Sequence, residues 1–263
     1  MRALLAAVNC PKGDVSGNLQ SHLRLLESAA RQGCDVAVFP EFSLTGGGDP
    51  ARFPARAISQ SHPAVLQLAE ATARFGVTAV FGIAESGGTA GTHFFITQLV
   101  AHDGELHGFH RKRHLGEDEE AYNVGGGTEV WNVAGTRFGV VICAEARADF
   151  TWDALAAAGA DVALFCAAPG LYGRRTDEAS WRTGLAWWEE CALGDATRNA
   201  QRLGLWVALA TQSGSTEDED FPGLAALIDP EGRVTDRLAD WAPGTLVVDI
   251  PNPTAIPGGG RSA

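Results

Sequence analysis

Short apolar runs of strand length alternate with amphipathic stretches through the first two thirds of the chain. This alternation restricts the fold most, because it calls for strands joined by helical crossovers, an α/β arrangement. Residues 3–9 read as a strand, and 17–32 as a helix with Leu19, Leu23, Leu26 and Ala30 on one face. Val36 to Phe39 is a short buried strand. A helix over 63–75, opened by Pro63 and closed near Gly76, leads into a strand at 77–83.

Residues 92–100 and 106–111 form a hairpin around Asp103-Gly104. An acidic, glycine-rich loop at 116–127 precedes a strand at 137–142, a helix from Asp149 to Ala158 and a strand at 161–166. A long helix fits 183–203, followed by a strand at 206–211. A second hairpin pairs 224–229 with 233–238, and 245–250 is the last strand. No linker or short-period repeat divides the chain, so residues 1–250 are expected to form one domain. Residues 251–263, rich in Pro and Gly, are expected to be an extended tail.

Composition removes several functional classes. With 32 acidic and 20 basic side chains, the formal charge of −12 argues against binding a nucleic-acid backbone, which rewards clustered Lys and Arg. No apolar run approaches the roughly 20 residues of a membrane-spanning helix. The apolar stretch from Ala3 to Val8 is short for a signal peptide, so a cytoplasmic location is expected. Five cysteines without a C-x-x-C pair indicate neither a zinc site nor a disulfide framework. His102, His107, His110 and His114 gather around the first hairpin, but His107 and His110 fall on opposite faces of a strand, which argues against a shared metal. The run Glu217-Asp218-Glu219-Asp220 lacks the spacing of a calcium loop. Neither a metal nor a cofactor is expected.

Three reactive side chains follow expected strand ends, where open α/β sheets build their sites. They are Glu41, Lys112 and Cys143. A free thiol, with a pKa of about 8.5, needs a base or a positive charge to become a good nucleophile. A carboxylate such as Glu41 can take the thiol proton. An ammonium such as Lys112 can hold the oxyanion that forms when a thiolate attacks a carbonyl. Only two of the 20 basic residues are lysine, Lys12 and Lys112, and Lys112 stands between Arg111 and Arg113. In a chain that otherwise uses arginine, that choice is chemical.

The blocks Val38-Phe39-Pro40-Glu41-Phe42-Ser43-Leu44-Thr45-Gly46, His110-Arg111-Lys112-Arg113-His114-Leu115 and Gly139-Val140-Val141-Ile142-Cys143-Ala144-Glu145 resemble the glutamate, lysine and cysteine motifs of the nitrilase superfamily of carbon–nitrogen hydrolases. They stand in the family's order, 71 and 31 residues apart. The resemblance implies a four-layer α-β-β-α sandwich that assembles into homodimers or larger homo-oligomers. It implies Glu41 as general base, Cys143 as nucleophile, Lys112 as transition-state stabiliser and the Ala144 N–H as a second oxyanion donor. A small amide, ω-amide or N-carbamoyl compound would pass through a thioester and release ammonia or an amine. Nitrile hydrolysis by the same triad, or a catalytically silent member that binds a ligand, are the alternatives.

The family often supplies a second glutamate from the loop after the lysine. Glu117, Asp118, Glu119 and Glu120 compete for that place: counting from Lys112 favours Glu119, and counting back from Tyr122-Asn123-Val124-Gly125 favours Asp118. Glu119 is taken. Ala144 stands where the family commonly has a large residue, and Gly47-Gly48 where it often has an aromatic. True nitrilases tend to carry Trp-Glu after the cysteine, so an amidase is the expected type. Arg174 and Arg175 are candidates to bind a substrate carboxylate, and Trp181, Trp187 and Trp188 to wall the pocket.

Overall fold

The computed structural model describes residues 1–87, 93–171, 173–175, 177–238 and 243–251. All but the first residue of the expected tail lies outside them. The first half runs β1 (Arg2–Ala7), α1 (Val15–Arg31), β2 (Val36–Val38), α2 (Pro63–Phe75), β3 (Thr78–Gly87), β4 (His93–His102) and β5 (Glu105–Arg111). The second runs β6 (Trp131–Val133), β7 (Thr136–Ile142), α3 (Asp149–Ala157), β8 (Val162–Ala167), α4 (Glu178–Trp188), α5 (Gly194–Leu203) and β9 (Trp206–Thr211). A small ribbon of β10 (Ser213–Ser215) and β11 (Asp220–Pro222) follows, then β12 (Ala225–Ile228), β13 (Val234–Arg237) and β14 (Gly244–Asp249).

Two six-stranded sheets result, in the orders β14-β1-β2-β3-β4-β5 and β6-β7-β8-β9-β12-β13. Read in those orders, both follow one plan: an antiparallel pair, two parallel pairs, then two antiparallel pairs. Helices cross over between the parallel strands of each sheet. The chain thus repeats an architecture that no sequence period reveals.

Side-chain alternation along the central strands builds the layers. In β1, Ala3 and Leu5 enter the core between the sheets, while Leu4 and Ala6 face α1 and α2. In β8, Val162, Leu164 and Cys166 point into that same inter-sheet core, and Ala163 and Phe165 pack on the helices of the second half. Strands apolar on both faces must be covered on both faces. The outcome is the four-layer α-β-β-α sandwich.

Helix ends follow local chemistry. The Asp14 carboxylate accepts the Gly17 N–H at 2.9 Å at the start of α1. Pro63 opens α2, and Gly76, at φ +65°, closes it in the left-handed region that suits glycine. The long helix expected over 183–203 starts earlier, at Glu178, and is interrupted by a π-helical turn at Glu189–Leu193. No described helix is long and apolar enough to cross a membrane.

Gly82, in β3, is a close-approach point. A Cβ there would lie 2.4 Å from the Phe42 nitrogen and 2.8 Å from the Pro40 carbonyl oxygen, both backbone atoms of the turn that carries Glu41. Gly82→Ala is therefore expected to cost about 1–3 kcal/mol of stability, in the range of core overpacking. A denaturant titration checks this, and an unchanged midpoint would show that the turn can give way.

Candidate active site

Glu41 begins a tight turn after β2, with Phe42 at φ +55°. The motif's small hydroxyl residues pin this turn to β3: Ser43 Oγ accepts the Gly82 N–H at 3.0 Å, and Thr45 Oγ1 accepts the Ala84 N–H at 2.9 Å. The turn presents the Glu41 carboxylate, 2% exposed, at the carboxyl end of the first sheet.

Lys112 follows β5 directly. Its N–H donates to the Ile96 carbonyl at 2.8 Å, and its own carbonyl accepts the Gly125 N–H at 2.8 Å, so its backbone is held on both sides. The ammonium donates to Glu41 Oε1 at 2.8 Å and to Glu119 Oε1 at 2.6 Å. Glu119 Oε2 in turn accepts the Gly116 N–H at 2.6 Å. Tyr122 anchors the loop through its hydroxyl, which donates to the Gly48 carbonyl at 2.6 Å. Of the four competing acids, Glu119 reaches the lysine, while Glu117, Asp118 and Glu120 are exposed.

Cys143 opens a 3-10 helix, Cys143–Arg147, at the end of β7. Its φ of +43° lies in the left-handed region, where a residue with a Cβ costs on the order of 1–3 kcal/mol. Such a sharp strand-to-helix turn lifts the side chain out of the sheet. Glu145 stabilises the turn from within: its Oε2 accepts the Ile142 N–H at 2.8 Å. The same fully buried carboxylate accepts the Arg113 N–H at 2.7 Å and hydrogen-bonds His110 Nε2 at 2.9 Å.

The fourth strand end is that of β8, where the Ala168 N–H donates to Glu41 Oε2 at 3.1 Å. The carboxylate of the first sheet is thereby tied to the second. Glu41, Lys112, Glu119 and Cys143 come together from three stretches far apart in sequence, Lys112 and Glu119 sharing one.

Burial and neighbouring charges set the protonation states. Burial pushes Glu41 up to about 7; Lys112 pulls it down and Glu119 adds to the rise. Burial also works to lower Lys112, but Glu41, Cys143 and Glu119 outweigh it and hold the ammonium well above its ordinary value. Burial first and Glu41 second push the Cys143 thiol up, against Lys112 and the Ala168 N–H. The resting group is a protonated thiol, so reaction requires a base beside it.

Glu41, Glu119 and Cys143 open onto a cavity of about 630 Å³, within the usual size of small-molecule sites; Lys112, held by both carboxylates, is not among the residues that line it. Glu41, Glu119, Cys143, Ala144, Trp187 and Trp188 are among its lining residues. Acids crowd its rim, including Asp49, Glu117, Asp118, Asp218 and Glu219, while of its two basic lining residues Lys12 is engaged by Asp218 at 2.8 Å and Arg147 lies 3.8 Å from Asp195. Arg174 and Arg175 lie elsewhere. Arg174 pairs with Asp220 at 3.1 Å and with the Thr216 carbonyl at 2.9 Å, and the Arg175 N–H binds Asp220 at 2.6 Å, so both hold the loop and neither lines this cavity. Trp181 does not line it either. The histidines do not converge: His102 packs edge-on against His107, and His110 is turned to Glu145. Among the described residues no group of three or more His, Cys, Asp or Glu is placed to hold a metal.

The sequence matches the carbon-nitrogen hydrolase family over residues 4–257. The chain belongs to that family. Its fold is shared with an amidase from Nesterenkonia sp., at a TM-score of 0.79 and 24% identity, covering 96% of this chain and 90% of that one. A glutamate-to-glutamine mutant of the same amidase, showing the result of Michael addition of acrylamide at its active-site cysteine, superposes at a TM-score of 0.79 and 23% identity, covering 95% and 93%. A glutamine-dependent NAD(+) synthetase of Thermotoga maritima is 30% identical over 149 residues, or 54% of this chain and 25% of that protein. The carbon-nitrogen hydrolase chain thus spans about a quarter of that curated relative's length.

The electrostatics give a signed expectation. Lys112 lowers the pKa of both Glu41 and Cys143. Lys112→Met should therefore shift the pH midpoint of Cys143 alkylation by iodoacetamide upward. A midpoint at or below the wild-type value would contradict the charge assignment.

Proposed function

We propose that this carbon-nitrogen hydrolase is an amidase that cleaves a small amide, ω-amide or N-carbamoyl compound through a thioester on Cys143. The carrying observation is one buried ammonium, Lys112, hydrogen-bonded to Glu41 and Glu119 at the cavity that Cys143 lines. Glu41, poised at about 7, takes the thiol proton as sulfur attacks the carbonyl carbon. The carbonyl electron pair moves onto oxygen, where Lys112 and the Ala144 N–H stabilise it. As the C–N bond breaks, Glu41 returns the proton to the leaving nitrogen. Water, deprotonated by Glu41, then attacks the thioester, releases the acid and restores the thiol. Glu119 keeps the lysine charged and aimed.

The acids that line the cavity outnumber its basic residues, Lys12 and Arg147, which favours neutral or cationic acyl groups over anionic ones. The fold shared with an amidase, and Ala144 after Cys143 where true nitrilases tend to carry Trp, support an amide over a nitrile.

A panel of short amides, ω-amides and N-carbamoyl compounds, with ammonia assayed, tests this function. Wild type should release ammonia and Cys143→Ala should not. Lys112→Arg should stay folded and lose about 100-fold or more in turnover, because a guanidinium cannot replace the compact ammonium. The kcat/KM profile should rise with pH through a limb near 7, the value to which burial pushes Glu41. Equal, negligible ammonia from wild type and Cys143→Ala across the panel would overturn the amidase reading.

A further inference from the structure

Building on that amidase reading, we propose that Glu145 is a positioning residue that sets the register between the nucleophile and the oxyanion-binding lysine. Lys112 and Cys143 belong to different sheets, and an error of about 1 Å between reacting groups can cost 100-fold in rate. Glu145 is the side chain that ties their backbones together. It grips the residue before the nucleophile through the Ile142 N–H and the residue after the lysine through the Arg113 N–H, at 2.8 and 2.7 Å. His110, two residues before Lys112, adds a third hold at 2.9 Å, in the tautomer that carries its hydrogen on Nε2. All three contacts are sealed from solvent or nearly so, since Glu145 is 0% and His110 4% exposed.

The division of labour within the side chain makes the role specific to a group with two acceptor oxygens. Oε1 takes the Arg113 N–H and Oε2 takes the Ile142 N–H, so each oxygen accepts a backbone donor. A glutamine offers one oxygen and one NH₂. Whichever way it turns, its NH₂ opposes a backbone N–H, and either the cysteine turn or the lysine strand loses its anchor. An aspartate keeps both acceptors on a shorter arm. Neither Glu145 nor His110 is among the residues that line the cavity, so the effect on rate runs through Lys112 and Cys143.

Steady-state kinetics, iodoacetamide labelling of Cys143 and thermal unfolding of Glu145→Gln, Glu145→Asp and the wild type test this. For Glu145→Gln, kcat should fall about 100-fold with KM within about threefold. Cys143 alkylation at neutral pH should slow in parallel, because a displaced ammonium no longer favours the thiolate. Glu145→Asp should recover at least about a tenth of the lost rate. A folded Glu145→Gln with wild-type kcat and alkylation, or one that loses only thermal stability, would overturn the proposal. If Glu145→Gln does not fold, His110→Leu decides: slowed alkylation and lowered kcat support the role, and wild-type values of both overturn it. Alkylation needs no substrate, so if wild type hydrolyses no amide while the variants still label slowly, the amidase reading fails and the positioning role stands.

Discussion

A single ammonium held out of water between two carboxylates is the interaction on which the rest of this structure depends. Lys112 is 1% exposed, and a lone charge in such a place would lose its proton or refuse burial. Its hydrogen bonds to Glu41 and Glu119 satisfy it, and each carboxylate is in turn held by a backbone N–H, Ala168 for Glu41 and Gly116 for Glu119. The three charged groups come from the first sheet and the loop after it, but Glu41 Oε2 finds its backbone donor, the Ala168 N–H, at the end of β8 in the second. Glu41 and Lys112 come from the first, and Ala168 and Cys143 from the second, so the polar groups are satisfied only once the two sheets have packed.

The apolar core between the sheets makes that convergence possible. Strands such as β1 and β8, apolar on both faces, drive the sheets together on one side and onto their helices on the other. Each sheet carries its parallel strands side by side, and the site gathers at their carboxyl ends. Two carboxylates cross the seam in opposite senses, Glu41 reaching from the first sheet to Ala168 and Glu145 from the second to Arg113. The left-handed backbone at Cys143 is the local cost of raising a side chain from the end of β7 into the cavity.

Much of this was legible in the residues. Alternating apolar runs marked the long strands, and Pro63 with Gly76 bounded α2 because their backbone preferences act locally. The sequence-based expectation of the hairpin at Asp103-Gly104 agrees with a turn in which both residues have positive φ. The apolar run of β2 marked even that three-residue strand, but other short pieces were not legible. The three-residue strands β6, β10 and β11 take their form from partners across the sheet, and the π turn at Glu189–Leu193 has no marker in helical periodicity. Motif order placed Glu41, Lys112 and Cys143 in one group, but the choice between Asp118 and Glu119 depended on which side chain the loop turns toward Lys112. Arg174 and Arg175 read as anion binders in isolation, but the Arg174 guanidinium pairs with Asp220, some 45 residues further along, and the Arg175 guanidinium donates to the Leu171 carbonyl. The pairing of Glu145 with His110 spans two sheets, and nothing near either residue in sequence announces it. The one available signal was a histidine two residues before the lysine and an acid two after the cysteine.

The role proposed for Cys143 is that of a nucleophile that holds the acyl half of an amide. Acid-quenched single turnover followed by peptide mass spectrometry tests it most directly. A transient mass increase equal to the acyl group is expected on the peptide containing Cys143, discharged by hydroxylamine and absent from Cys143→Ala. Ammonia release with no adduct on Cys143, and persisting in Cys143→Ala, would contradict it.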